Sequence, residues 1–446
     1  MNEDLMDICR RAVDIGTGLG ASEVEVFATR QRSVDAGFEN NEMKMAKRTI
    51  SSAAGIRVFR NKSLGFASVN SLEPDKLERA VGHAVALSKN APADANNGLP
   101  DPRHLRSLSG LYDDDIAGMS EEDVLDRAKR MLASASGVDQ RVSVDGGRFE
   151  ATVGSKAIVN SLGIEGSEDF SATYYDIGAH AVEGSNVSSM DYRFDGARTM
   201  RGNDSDEIAI ELANAVIESL SAGKLESHMG SVIFSPLAAI EVLLSPIMFS
   251  IDSNNVQKGV SRFRGKTGEK VAADLITVLD DGTIPEGLSS SAFDREGVPH
   301  SPLTVIGNGR LEAFLYDART ARKEGIDSNG HAAGGPLSVP SIDATNVRIA
   351  PGSAPLSELV SSVRRGLLVQ RFSGRVDPVS GDFSGVVKGS KKIEEGVLMG
   401  AIRETMISGN AYDLLAKVRG LSKETKKIMD FQLPYFAADD ISITGG

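Results

Sequence analysis

The sequence holds one cysteine, Cys9, in 446 residues. A lone thiol can form no disulfide within its own chain, and this usage points to a reducing, cytoplasmic setting. No stretch comes near the roughly 18 to 20 consecutive apolar residues that a membrane-crossing helix needs. The opening "MNEDLMDICRRAVDIG" is acidic at once, with no basic segment leading into an apolar core, so it does not read as a secretory signal. Positive charge is in deficit as well, with a formal net charge of −13. A nucleic-acid surface needs a positive patch to displace counterions. The local clusters "KMAKR" (44–48) and "KETKK" (423–427) read instead as solvated faces. Histidine is sparse: the six, at 83, 104, 180, 228, 300 and 331, include no pair at metal-ligand spacing.

What is present is an ordinary globular composition, 41% hydrophobic and 25% charged, in a chain long enough for two or three domains. Apolar positions at Leu5, Ile8, Cys9, Ala12 and Val13 form a helical stripe. "GTGLGAS" (16–22) follows that helix and precedes a strand. A dinucleotide-binding loop needs the opposite order, so these glycines read as a helix stop. Alternation then takes over in "SEVEVFA", "RSVDAGFE" and "AAGIRVFRNKSLGFASVN", with Asn61-Lys62 as a hairpin connection. Pro74 opens a helix whose buried stripe is Leu77, Ala80, Val81, Ala84 and Val85. Residues 91–111, rich in Pro, Asn, Asp and Gly, read as a linker.

Ser120 is a candidate N-cap, followed by acids that suit the positive end of a helix dipole. Strand-like runs fill 140–200 and lead into a helix over 206–222. The first half thus repeats a pattern of strands followed by a helix. The second half opens with the strand "GSVIFS" and a helix starting at Pro236. Beyond it lie many short strands, including a hairpin at Asn308-Gly309, and two short helices at 356–365 and 408–417. The expected fold class is α+β. The expected units are an N-terminal α+β domain with its linker (1–110), a middle α+β domain (111–223) and a β-rich C-terminal domain (224–446).

The segments "GKTGEKVAADLITVLDDGT", "FDREGVPHSPLTVIGNGRLEAFLYD" and "GDFSGVVKGSKKIEEG" resemble the C-terminal domain of the TldD/PmbA family. "GIRVFRNKSLGFASVN" and "LERAVGHAVALSK" are similar to that family's N-terminal domain. The resemblance runs in consistent order from about residue 20 to the end. The family, named for modulation of DNA gyrase, comprises TldD-type zinc metallopeptidase subunits and PmbA-type (TldE-type) partners that process peptides together. The acidic composition gives no support to the gyrase part of the name. In TldD-type subunits a helix carries HExxxH, and a late cysteine completes the zinc site. Zinc held with an open position acidifies a bound water, and the glutamate takes its proton.

The resemblance places that motif on "VLLSPIMFS": the histidines fall on Ser245 and Ser250, and the glutamate on Pro246. A neutral serine hydroxyl is a poor zinc ligand, and proline has no side-chain group to accept a proton. No thiol follows Cys9. The resemblance therefore implies a non-catalytic PmbA/TldE-type subunit with no metal, cofactor or catalytic residue of its own. It would pair with a TldD-type catalytic subunit that supplies the zinc, act on a peptide substrate, and form a homodimer in isolation. A site rebuilt from His228, His300, His331, Asp252, Asp280, Asp281 and Asp294 would make the chain an independent hydrolase, but none of these have helical i, i+4 spacing. Asp280-Asp281-Gly282 reads as a turn and His300 as a loop residue. A self-associating scaffold is the third reading.

Overall fold

The computed structural model of the protein describes residues 4–445. The chain runs through α1 (Leu5–Gly18), β1 (Glu23–Glu39), β2 (Glu42–Arg60), β3 (Ser63–Val69), α2 (Pro74–Ser88), α3 (Asp114–Ala117), α4 (Glu121–Ser136), β4 (Val142–Asn160), β5 (Glu165–Glu183), β6 (Asn186–Val187), β7 (Asp191–Ala197) and α5 (Ser205–Leu220). The fold class is α+β, with an antiparallel sheet first and a mixed sheet after it. Local chemistry sets the boundaries. Asp4 caps α1 by accepting the Met6 N–H at 3.1 Å, and the helix ends in a turn through Gly20 at φ +86°. Ser120 and Asp123 form a reciprocal capping box on α4. Asn61 and Lys62 both take positive φ, the geometry of a mirror-image hairpin turn between β2 and β3.

The first seven strands form one antiparallel sheet in the order β3-β2-β1-β4-β5-β6, with β7 also on β5. The segments on either side of residue 110 share it, because β1 pairs with β4 from Glu25 opposite Asn160 to Glu39 opposite Gly146. One end of these long strands packs Val24, Val26, Ala28, Ala157 and Val159 under α1 and α2, where Cys9 is buried. The other end packs Val34, Ala36, Phe38, Val144 and Phe149 under α4 and α5. Arg319 and Arg322 strap the 91–111 connection to the C-terminal half, through Asp94 at 2.8 Å and the carbonyls of Asn96 and Leu99 at 2.6 and 2.8 Å.

The C-terminal half comprises β8 (His228–Phe234), a broken helix, β9 (Val278–Asp280), β10 (Leu303–Gly307), β11 (Arg310–Leu311), α9 (Ala318–Glu324), β12 (Ala332–Ala333), β13 (Ser341–Ile342), β14 (Val347–Ile349), α10 (Leu356–Ser361), β15 (Arg365–Val369), β16 (Arg371–Val376), β17 (Asp382–Lys388), β18 (Lys391–Glu394), β19 (Val397–Ala401), β20 (Met406–Asn410), α11 (Ala411–Lys417), β21 (Val418–Ile428) and β22 (Phe431–Thr444). The broken helix consists of α6 (Pro236–Ala239), a wide turn (Ile240–Leu244), α7 (Ser245–Ile251) and α8 (Ser253–Gln257). Thirteen strands join in a mixed sheet, with β8–β15 and β14–β22 parallel. Its core holds Val242, Leu243, Leu244, Ile247 and Ile251 of the broken helix. At the β10–β11 hairpin, Gly309 takes φ +76° and a Cβ there would sit 2.5 Å from the Ala272 carbonyl oxygen.

The face of the first sheet opposite its helices is covered by the C-terminal half. Glu25 and Phe27 share that face of β1: Glu25 is fully buried and Phe27 packs with Ile158, Ile164 and Phe293. Glu25 is compensated by Arg57, whose Nε donates to it at 2.9 Å, and by Arg295 Nη1 at 2.9 Å. Arg57 Nη1 also donates to Glu296 at 2.6 Å. Four buried charges, two of each sign, thus join the halves. No helix among the described residues is long and apolar enough to cross a membrane.

Candidate functional site

The broken helix starts where Ser235 caps it, its Oγ accepting the Ala238 N–H at 3.2 Å and donating to the Gln370 carbonyl at 2.6 Å. Pro236 occupies the first turn. Pro246 cannot donate to the carbonyl four residues back, and its ring would crowd that carbonyl. The widened π-type turn Ile240–Leu244 immediately precedes it and relieves the conflict. Ser245 is exposed, whereas Pro246 and Ser250 are buried. The two positions thus differ in environment, one open to solvent and the other enclosed. Ser250 has zero exposure, and its hydroxyl meets the Tyr412 hydroxyl at 2.7 Å. Tyr412 in turn donates to the Pro378 carbonyl at 2.6 Å, and Ser261 Oγ donates to the Ser250 carbonyl at 2.7 Å. Every polar atom at position 250 is engaged inside the protein.

The other sequence candidates divide into two sets. His228, on β8, donates from Nδ1 to the Glu226 carbonyl at 2.9 Å. Asp252 caps α8 through Asn254. Asp281 does form the expected turn, accepting the Thr283 N–H and hydroxyl at 2.8 and 2.6 Å. His300, His331 and Asp294, in contrast, line one cavity of about 440 Å³ between the two halves. Asp280 lies behind it, accepting from His331 Nε2 at 3.0 Å and from Thr345 N and Oγ1. His331 Nδ1 faces Asn329 Oδ1 at 2.9 Å, and that oxygen also accepts the Tyr316 N–H. Both ring nitrogens of His331 therefore meet oxygen acceptors, which ties three loops together.

Sequence reasoning missed the rest of the cavity wall. Phe27 and Lys156 come from β1 and β4, Met248 from α7, and Asp430 and Phe431 from the β21–β22 turn. Lys156 Nζ donates to Ser291 Oγ and Glu168 Oε1, both at 2.8 Å. Burial, with Glu296 beside it, pushes the Asp294 carboxyl well above its usual range, and its oxygens accept N–H bonds from Glu296, Val298 and Ala332. Burial pushes the His300 imidazole down to about 4, with His331 and Lys156 adding to the effect. His300 is therefore neutral at pH 7. No three His, Cys, Asp or Glu side chains among the described residues converge as metal ligands.

The architecture is an α+β platform closed by a β-rich lobe around a buried helix, and its successive parts match the domains of a metallopeptidase family. Three family models match in order: PmbA/TldA metallopeptidase domain 1 over residues 24–88, the central domain over 114–222, and the C-terminal domain over 227–445. The chain belongs to the PmbA/TldD family. It is 24% identical to Metalloprotease PmbA of Escherichia coli O157:H7 over 441 residues, covering 97% of this chain and 94% of that protein. It is 26% identical to a Metalloprotease TldD homolog of Buchnera aphidicola over 441 residues, covering 95% and 88%. The crystal structure of TldE from Thermococcus kodakarensis superposes with a TM-score of 0.89 at 25% identity, covering 98% of this chain and 99% of that one.

Proposed function

We propose that this chain is the non-catalytic, PmbA/TldE-type subunit of a two-component zinc metallopeptidase that processes unstructured peptides. A TldD-type subunit supplies the zinc and the general base, and this chain completes the assembly. The observation that supports the reading is the state of position 250. The serine that stands at a ligand position of the family motif is fully buried and bonded to Tyr412. Ser245 is exposed, and Pro246 offers no base. These residues do not fit a zinc ion, and no catalytic step is assigned to them. Family likeness to both PmbA-type and TldD-type relatives supports the pairing. In isolation the chain forms a homodimer through the surface meant for its partner, since related subunits keep compatible interfaces.

The test is to purify the chain alone and together with a TldD-type subunit, then measure bound zinc and cleavage of an unstructured peptide. Zinc and cleavage are expected only in the mixture. Chelator-sensitive cleavage by the isolated chain would establish an independent hydrolase and overturn the reading.

A further inference from the structure

We propose that the cavity between the halves binds a small zwitterion, a ligand with a free ammonium group at one end and a carboxylate at the other, in the class of amino acids and short unblocked peptides. The assignment concerns this chain alone and stands whether or not it pairs with a second subunit. Its volume, about 440 Å³, suits a ligand of that size.

The walls carry opposite charges with spare capacity. Two lining acids are Asp430, half-buried, and Asp343, exposed, each within electrostatic reach of the other. Asp430 accepts the Ser289 hydroxyl at 2.9 Å and Asp343 accepts the Ala344 N–H at 2.8 Å. Among the described residues neither carboxylate pairs with a lysine or arginine, although Asp430 is partly withdrawn from water. Burial raises the Asp430 carboxyl above its usual range, a cost that an incoming ammonium group would offset.

The lining also includes Lys156, with two of its three ammonium protons committed to Ser291 and Glu168. Beside it is the His300 ring, neutral at pH 7 and without a hydrogen-bond partner among the described residues, so it offers one donor and one acceptor to the cavity. Arg295 forms part of the same wall. Its side chain is 1% exposed and its Nη2 has no acceptor among the described residues. A carboxylate would satisfy these donors. Phe27, Met248, Phe293 and Phe431 add apolar surface to the lining.

The experiment is titration calorimetry on the full isolated chain with alanyl-leucine, its N-acetyl form and its C-terminal amide. The free dipeptide should bind saturably, and blocking either end should weaken binding by at least about tenfold, the effect of losing one buried charged contact. Asp430→Asn should weaken the free dipeptide by about tenfold and leave the N-acetyl form unchanged. Asp343→Asn, at the exposed rim, repeats the comparison in a variant whose folding is not at stake. No binding by any of the three up to about 10 mM, or equal binding of free and blocked forms, would overturn the proposal. Equal weakening of free and N-acetylated ligand by both variants would also overturn it, because the carboxylates would then support the cavity without reading the ammonium.

Discussion

Arg57 and Glu296 stand 239 residues apart in the chain and meet in a 2.6 Å ion pair, with their side chains only 6% and 2% exposed. The pair crosses from the first sheet to the C-terminal half, and Arg57 shares itself with Glu25. Burial opposes ionisation of all these groups. At Glu25 the two guanidinium groups outweigh it and hold the carboxyl below the usual range, while at Glu296 burial wins and raises it. Arg57→Ala leaves two buried carboxylates with Arg295 as their only cation. We expect a loss of about 3–5 kcal/mol, measured by urea unfolding at pH 7. A change within about 0.5 kcal/mol would mean that the cluster does not hold the halves together.

A second buried acid sets a pH response. Burial pushes Glu241, in the wide turn of the broken helix, up to about 7 from 4.5, although Arg371 at 3.0 Å and the Phe372 N–H favour its ionised form. A raised carboxyl means that the native state binds more protons than the unfolded chain between these values. Its contribution is therefore fully present below about pH 4.5 and is lost as pH rises through about 7. Asp195, raised to about 6 by burial, acts with the same sign over a lower window. The Glu241 term is worth at most about 3 kcal/mol. Glu241→Gln should lose less stability than the natural chain between pH 5 and pH 8 in urea melts. An unchanged pH slope would exclude Glu241 as its source.

Restoring the family's zinc motif by substitution should fail. The triple change Ser245→His, Pro246→Glu and Ser250→His would force an imidazole into a site with zero exposure against Tyr412. Overpacking of that kind costs about 1–3 kcal/mol. With position 250 packed against Tyr412 and no thiol after Cys9, the purified variant should hold well under one zinc per chain by elemental analysis. Stoichiometric zinc would show that the packing around position 250 can yield to a metal site.

Elements with a local signature were legible in the sequence. The stripes of α1 and α2, the Ser120 cap, the Asn61-Lys62 and Asn308-Gly309 turns and the helix start at Pro236 all depend on neighbours within a few residues. The turn at Asn40 and Asn41, both at positive φ, carried a similar signal in "ENNE" and was overlooked. Pairing of β1 with β4 was not readable, because it joins strands separated by about a hundred residues and three helices. Burial of Glu25 was equally hidden, since alternation marks two faces without saying whether a second layer covers the polar one. The cavity is the extreme case. Lys156, His300, His331 and Asp430 come from a strand and three loops, and convergence of loops leaves no periodicity.

The unbroken length of β1 and β4 has a consequence for dissection. At 17 and 19 residues they span roughly 55 to 65 Å, with one helical pair docked at each end. There is no joint between those ends at which one could swing while the other stays fixed. A fragment stopped near residue 110 would keep β1 without its β4 neighbour and expose a ladder of unpaired backbone groups, the template from which aggregates grow. The amino-terminal half is thus one indivisible beam, to be expressed, moved and inherited whole.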